Sequence, residues 1–127
     1  MEKSTQSNIA RVSWQQYDDD VHLLAERIKK STVELHCIHA IPRGGMVVAV
    51  HLSHLLKLPL TENPYGTFLV VDDVSDTGST LQEFTGKRFG RKCVLATLYI
   101  KEGTTVVPTF FTRSFKKDEW IEYPWEV

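Results

Sequence analysis

Cysteine is scarce: Cys37 and Cys93 are the only two, and each stands inside an apolar run. A thiol in that setting behaves as a small buried hydrophobe, and two are too few for the disulfide framework of a secreted domain, so both are expected to be reduced. Charge of one sign is lacking as well. Fifteen Lys and Arg face sixteen Asp and Glu for a net charge of -1, which gives no electrostatic case for a nucleic-acid or anionic-membrane partner. No apolar run is long enough to span a bilayer, and the polar residues 1–8 lack the apolar centre of a signal peptide. A cytoplasmic protein is the expectation. Internal repeats, low-complexity segments and linkers are absent too. What remains is 127 residues, 42% of them hydrophobic, enough for one globular domain over 1–127 with a proper core.

The chain is organised around Phe68-Leu69-Val70-Val71-Asp72-Asp73-Val74-Ser75-Asp76-Thr77-Gly78-Ser79-Thr80. An apolar strand over 67–71 runs into adjacent carboxylates, then a third, then a hydroxyl-rich turn at Gly78, beyond which Leu81 and Phe84 begin a helical spacing. In open α/β folds the ligand lies at the carboxyl ends of the strands, so acids placed there point to a site. The Thr77 to Thr80 N–H groups are expected to be unpaired at the helix start. With the positive end of the helix dipole and three hydroxyls they suit a phosphate.

The flanking pattern is strand and helix in alternation. Ser13 with Gln16 forms a capping-box pattern, and Trp14, Tyr17, Val21, Leu24 and Ile28 recur at helical spacing. Asp18, Asp19, Asp20, Glu26, Arg27, Lys29 and Lys30 read as the solvated face of that helix. A strand over 35–41 leads into Pro42-Arg43-Gly44-Gly45 and an apolar helix over Met46–Leu56. Paired glycines allow close backbone approach, and Arg43 offers a planar fork for phosphate oxygens. His51 and His54 lie three apart, but without cysteine or acids at ligand spacing they read as ordinary packing histidines. Strands are expected at 58–60, at 93–100 ending in Lys101, and, at an edge because of Pro108, at 106–111. The signature helix is expected to end near Phe89-Gly90. Alternation of this kind predicts an α/β fold with a mainly parallel central sheet flanked by helices.

The 68–80 stretch closely resembles the phosphoribosyl-pyrophosphate (PRPP) signature of type I phosphoribosyltransferases. The resemblance implies that Asp72 and Asp73 hold the ribose hydroxyls, that Asp76, Thr77, Gly78, Ser79 and Thr80 hold the 5′-phosphate, and that Asp76 lies near the base. Arg43, Gly44 and Gly45 resemble the pyrophosphate loop of the xanthine-guanine type, with Pro42 in place of its serine; the family's equivalent non-proline bond is often cis. Lys101 matches the lysine that meets the oxygen on carbon 6 of a purine. The tail Trp120-Ile121-Glu122-Tyr123-Pro124-Trp125-Glu126 resembles the Trp-Ile-Glu-x-Pro-Trp-Asp segment of the same enzymes. There the first tryptophan stacks on the base and the neighbouring backbone reads its edge, roles that fall to Trp120 and Ile121. Glu126 stands where the family has a metal-binding aspartate.

The resemblance thus implies a magnesium-dependent transferase moving 5-phosphoribosyl from PRPP to a 6-oxopurine (guanine, xanthine or hypoxanthine) with release of pyrophosphate, in nucleotide salvage. Asp76 and Arg43 would be the catalytic pair, Asp72, Asp73 and Glu126 the metal ligands, and the assembly a homo-oligomer, dimer or tetramer. The family's long mobile hood is absent or minimal here, because 61–66 has room only for a turn. That departure supports an alternative, a non-catalytic PRPP- or nucleotide-binding regulator. Asp76-Thr77-Gly78-Ser79 is also the aspartic-protease tetrapeptide, but a helical pattern after Thr-Gly and two acids before it contradict an all-strand fold.

Overall fold

The computed structural model describes residues 8–85 and 92–126. Ser13 caps the first helix as its sequence predicts, its hydroxyl accepting the Gln16 N–H at 3.0 Å. That helix, α1 (Trp14–Lys30), buries Tyr17, Val21, Leu24 and Ile28. Two residues depart from the expected pattern. Trp14 is 59% exposed, and Asp20, read as solvated, is buried. Its carboxylate accepts from the Tyr99 hydroxyl at 2.6 Å and from Arg113 Nε at 3.0 Å, partners that only the tertiary fold brings to it. A buried carboxylate persists when it is paired and hydrogen-bonded in this way.

Four parallel strands form the main sheet in the order β2 (Cys37–Ala40), β3 (Phe68–Ser75), β4 (Cys93–Lys101) and β5 (Arg113–Phe115). Side chains on a strand alternate between faces. Ile38, Leu69, Val71, Ala96 and Leu98 accordingly pack with α1 and with α2 (Met46–Leu56), whereas Cys37, Phe68, Val70 and Leu95 pack with Leu81 and Phe84 from α3 (Ser79–Glu83) and its C-cap. Helices thus cover both faces, the arrangement expected of a buried parallel sheet. The expected end of the signature helix at Phe89-Gly90 lies outside the described residues.

Strand boundaries differ from expectation in several places, and the strand expected over 35–41 is confined to Cys37–Ala40. β3 does not stop at Val71 but continues through the acids to Ser75, because Asp72, Val74 and Ser75 keep their pairing with Thr97, Tyr99 and Ile100. Residues 58–60 and 106–111 make only isolated bridges, at Leu60 and Phe110; a proline in each segment removes a ladder donor. β1 (Ile9–Arg11) and β6 (Trp120–Glu122) are too short to show periodicity, and they pair in parallel as a separate sheet. That pairing holds the tail in place. Among the described residues no helix is long and apolar enough to cross a membrane.

Candidate active site

The carboxyl end of β3 carries the acids, and the loop before α2 packs directly against them. A Cβ on Gly44 would lie 2.8 Å from both Asp73 carboxylate oxygens, and one on Gly45 would meet the Val71 carbonyl, with Asp72 Cα at 2.9 Å. Glycine is required at Gly45, where backbone blocks a side chain, whereas a Cβ at Gly44 would displace the Asp73 carboxylate; in both cases the close approach is to the acid strand. The Pro42–Arg43 peptide is cis, and Arg43 is exposed, one residue before the glycine that meets Asp73.

Asp72 accepts the Asp73 N–H at 2.9 Å and Asp73 accepts the Val74 N–H at 2.8 Å. Burial, then the neighbouring Asp73 charge, push the Asp72 carboxyl up to about 8. Asp73 is also raised, chiefly by burial. Two buried carboxylates without a cation cannot both ionise cheaply, so the pair retains a proton. Glu126 adds to the negative potential at Asp73, while its own carboxylate accepts the Tyr123 N–H at 2.9 Å. Asp73 and Glu126 line one cleft and Asp72 adjoins Asp73 in sequence. Carboxylate oxygens are the donor chemistry of a hard divalent cation such as magnesium, but the ligand atoms of these three residues do not converge on one point.

A sign follows for stability. A carboxyl raised in the folded state binds a proton that the unfolded chain releases near its ordinary value of about 4. The ligand-free protein is therefore expected to lose stability as pH rises from about 4 through about 8. Thermal melts across that window should show a falling midpoint for the wild type and a flatter profile for Asp72→Asn. Equal slopes in the two proteins would refute the assignment.

Beyond the pair, Asp76 is half exposed, and its carboxylate lies 3.4 Å from Lys101 Nζ, whose side chain is only 8% exposed. A solvated lysine at a strand end is thereby excluded. The same ammonium sits 5.7 Å from the centroid of the Trp120 ring. Asp73, Asp76, Lys101, Trp120, Ile121 and Glu126 line one cleft, together with Val74 and Tyr123. The aromatic tail divides its work. Trp125 packs edge-on against Tyr17 at 5.0 Å and stacks on Tyr123 at 4.8 Å, closing the core, whereas Trp120 stays 60% exposed above the cleft. An exposed indole beside a polar cleft presents a face to a planar ligand.

Next to this cleft Thr77, Gly78 and Thr80 line a small hollow at the start of α3. Gly78 has φ +94°, and the Thr77, Ser79 and Thr80 side chains are exposed. One expectation is modified: the Ser79 N–H is not unpaired but donates to Thr77 Oγ1 at 3.3 Å, a weak local bond that a phosphate would replace. Sequence reasoning missed the support behind this turn. The Thr105 N–H and hydroxyl both donate to the Thr77 carbonyl, at 2.9 and 2.8 Å, and the Ser75 hydroxyl donates to the Val106 carbonyl at 2.7 Å. A run of threonines after Gly103 was the only signal for it. Also missed was Tyr123, whose buried hydroxyl has no hydrogen-bond partner among the described residues and whose ionisation is opposed first by burial and then by Asp73.

No family model matches the chain. Known proteins do. The xanthine-guanine phosphoribosyltransferase of Gluconobacter oxydans is 25% identical over 143 residues, covering 92% of this chain and 84% of that protein. A xanthine-guanine-hypoxanthine phosphoribosyltransferase of Helicobacter pylori superposes with a TM-score of 0.76 at 24% identity, over 94% of this chain and 93% of its own. The crystal structure of a purine phosphoribosyltransferase from Pyrococcus horikoshii superposes with a TM-score of 0.77 at 31% identity, covering 94% of this chain and 95% of that one. Identity at that level over nearly the full length of both chains, on a parallel sheet whose central strand ends in paired acids and a Thr-Gly turn, shows that the chain belongs to the purine phosphoribosyltransferases of type I fold.

Proposed function

We propose that this single-domain chain transfers 5-phosphoribosyl from PRPP to a 6-oxopurine with release of pyrophosphate, a nucleotide-salvage reaction. The observation that carries the substrate class is Lys101, an ammonium at the wall of the cleft beneath an exposed Trp120 and beside Asp76. A buried cation donor suits a carbonyl oxygen on the base and does not suit the amino group of adenine.

In this reading Asp72 and Asp73 accept from the ribose hydroxyls and fix the sugar, while the backbone N–H groups of the turn Asp76, Thr77, Gly78, Ser79 and Thr80, with its hydroxyls, hold the 5′-phosphate. Arg43 gives its planar fork to the pyrophosphate, and Gly44 and Gly45 let the backbone follow. As the bond from the anomeric carbon to pyrophosphate breaks with oxocarbenium character, Arg43 stabilises the charge developing on the leaving group. Trp120 stacks on the base, the Ile121 backbone reads its edge, and Asp76 takes the purine proton as a ring nitrogen attacks from the opposite face. Magnesium, its ligands drawn from Asp72, Asp73 and Glu126, would supply charge neutralisation to the pyrophosphate when bound.

A second reading, a PRPP- or nucleotide-binding regulator, is favoured by one feature: only residues 57–67 separate α2 from β3, which leaves no room for a hood to exclude water. One assay separates the two. With magnesium, PRPP and each of hypoxanthine, guanine, xanthine, adenine, uracil and orotate, PRPP loss and nucleotide formation are followed in parallel. Transfer to a 6-oxopurine supports the enzyme, with PRPP hydrolysis expected as a measurable fraction of turnover. Tight PRPP binding without transfer to any base supports the regulator. Adenine or uracil as best substrate refutes the 6-oxopurine assignment.

The base subsite has its own test. Trp120→Ala should weaken base binding by about 1–3 kcal/mol through lost stacking while PRPP affinity is unchanged. Lys101→Met should chiefly hurt bases bearing oxygen on carbon 6. Equal losses for adenine and guanine in the lysine variant would count against its role.

A further inference from the structure

A second cluster of ligating side chains lies on the α1–α2 layer, and none of its members lines the cleft. Asp18 and His22 stand one turn apart on α1 and His51 projects from α2; one ligand atom from each lies within 4.8 Å of the others. The His22 and His51 rings meet edge to face with centroids 5.7 Å apart. His22 Nδ1 is 2.8 Å from the Asp18 carbonyl oxygen and 3.4 Å from its carboxylate. His51 Nδ1 lies 3.2 Å from the hydroxyl of Tyr17, which is only 2% exposed, so a buried group orients that ring. Along the sequence His51 has only His54 near it at ligand spacing. Folding supplies His22 and Asp18 from another helix.

We propose that Asp18, His22 and His51 form a site for a borderline divalent transition-metal ion of the zinc class, which clips α1 to α2 outside the cleft. Two imidazoles and a carboxylate are the donor set for such an ion and not for magnesium, which takes oxygen ligands. Zinc bonds of about 2.0–2.1 Å at tetrahedral angles put neighbouring ligand atoms about 3.3 Å apart. The cluster must therefore tighten by roughly 1 Å or more, a shift that rotamer changes supply, because the side chains of Asp18 and His22 are 54% and 52% exposed. Two features favour binding over a chance meeting of surface histidines. The i,i+4 spacing places Asp18 and His22 on one face of a rigid helix, and Tyr17 can accept from His51 Nδ1–H, which leaves the Nε2 lone pair for the metal, as outer partners do in metal sites. The fourth position is open to water.

The test uses the full chain stripped with chelator. Titration calorimetry with zinc should show one equivalent bound, with a rise in melting temperature as zinc is added in excess. Cobalt should give the visible absorption of a tetrahedral site. His22→Ala should weaken zinc binding at least tenfold and remove the cobalt bands, while transferase activity in magnesium is unchanged. Asp18→Asn should weaken binding less, and His54→Ala and Asp73→Asn should leave it intact. Zinc binding that survives in both His22→Ala and His51→Ala, that disappears in Asp73→Asn, or that is absent from the wild type overturns the proposal.

Discussion

Gly78→Val is expected to abolish PRPP binding by calorimetry, the largest effect of any substitution considered for this chain. Gly78 sits at φ +94°, a conformation that a β-branched residue adopts only with strain. Space forbids the side chain as well. A Cβ there would meet the Thr105 hydroxyl and lie 2.7 Å from the Val106 backbone nitrogen. That loop has little freedom to retreat, because Thr105 is bonded twice to Thr77 and Val106 once to Ser75. The turn itself must therefore open, and opening it moves the Thr77, Ser79 and Thr80 hydroxyls away from one another. Gly78→Ala should show the same defect in milder form. Each variant is to be compared at matched thermal stability, so that loss of the site is separated from loss of the fold; unchanged PRPP affinity in a folded Gly78→Val protein would remove the phosphate role from this turn.

Much of this was legible in the sequence because the signals are local. Apolar runs of strand length alternating with helical spacing specify layers, and α2 begins and ends where its pattern does. The paired acids and Thr-Gly are contiguous, so their position on one strand and turn needs no tertiary information. What stayed hidden depends on residues distant in the chain. Asp20 carries no mark distinguishing it from Asp18 and Asp19, and its burial follows from Tyr99 and Arg113, 79 and 93 residues away. The β1–β6 pairing joins Ile9 to Trp120, two three-residue strands without a period to detect. Composition likewise could not show which aromatic in the tail seals the core and which stays exposed; Trp120 and Trp125 differ only in what the tail's path brings near them. The metal-ligating cluster on α1 and α2 is the same lesson in reverse, since a histidine pair dismissed within one helix gains its partners from the next.

Asp76→Asn is expected to lower turnover on the order of a hundredfold or more while leaving PRPP affinity nearly intact, since general-base catalysis contributes on the order of 10²–10⁴. Asparagine keeps the shape and a hydrogen-bonding oxygen but cannot take the purine proton. The structure adds a complication: Asp76 is also the counter-charge of Lys101, 3.4 Å away, so the variant unpairs a largely buried ammonium as well. The two effects differ in their signatures. Loss of a base removes the low-pH limb of the rate profile for transfer, whichever base is used, and barely alters base affinity. Displacement of Lys101 instead weakens binding of 6-oxopurines and leaves the pH dependence in place. Lys101→Met combined with Asp76→Asn distinguishes them further. If Asp76 serves only to hold the lysine, the double variant will be no slower than Lys101→Met alone; if it accepts the proton, the second substitution will add its own large loss. A double variant as active as Lys101→Met would leave Asp76 with positioning and no chemistry.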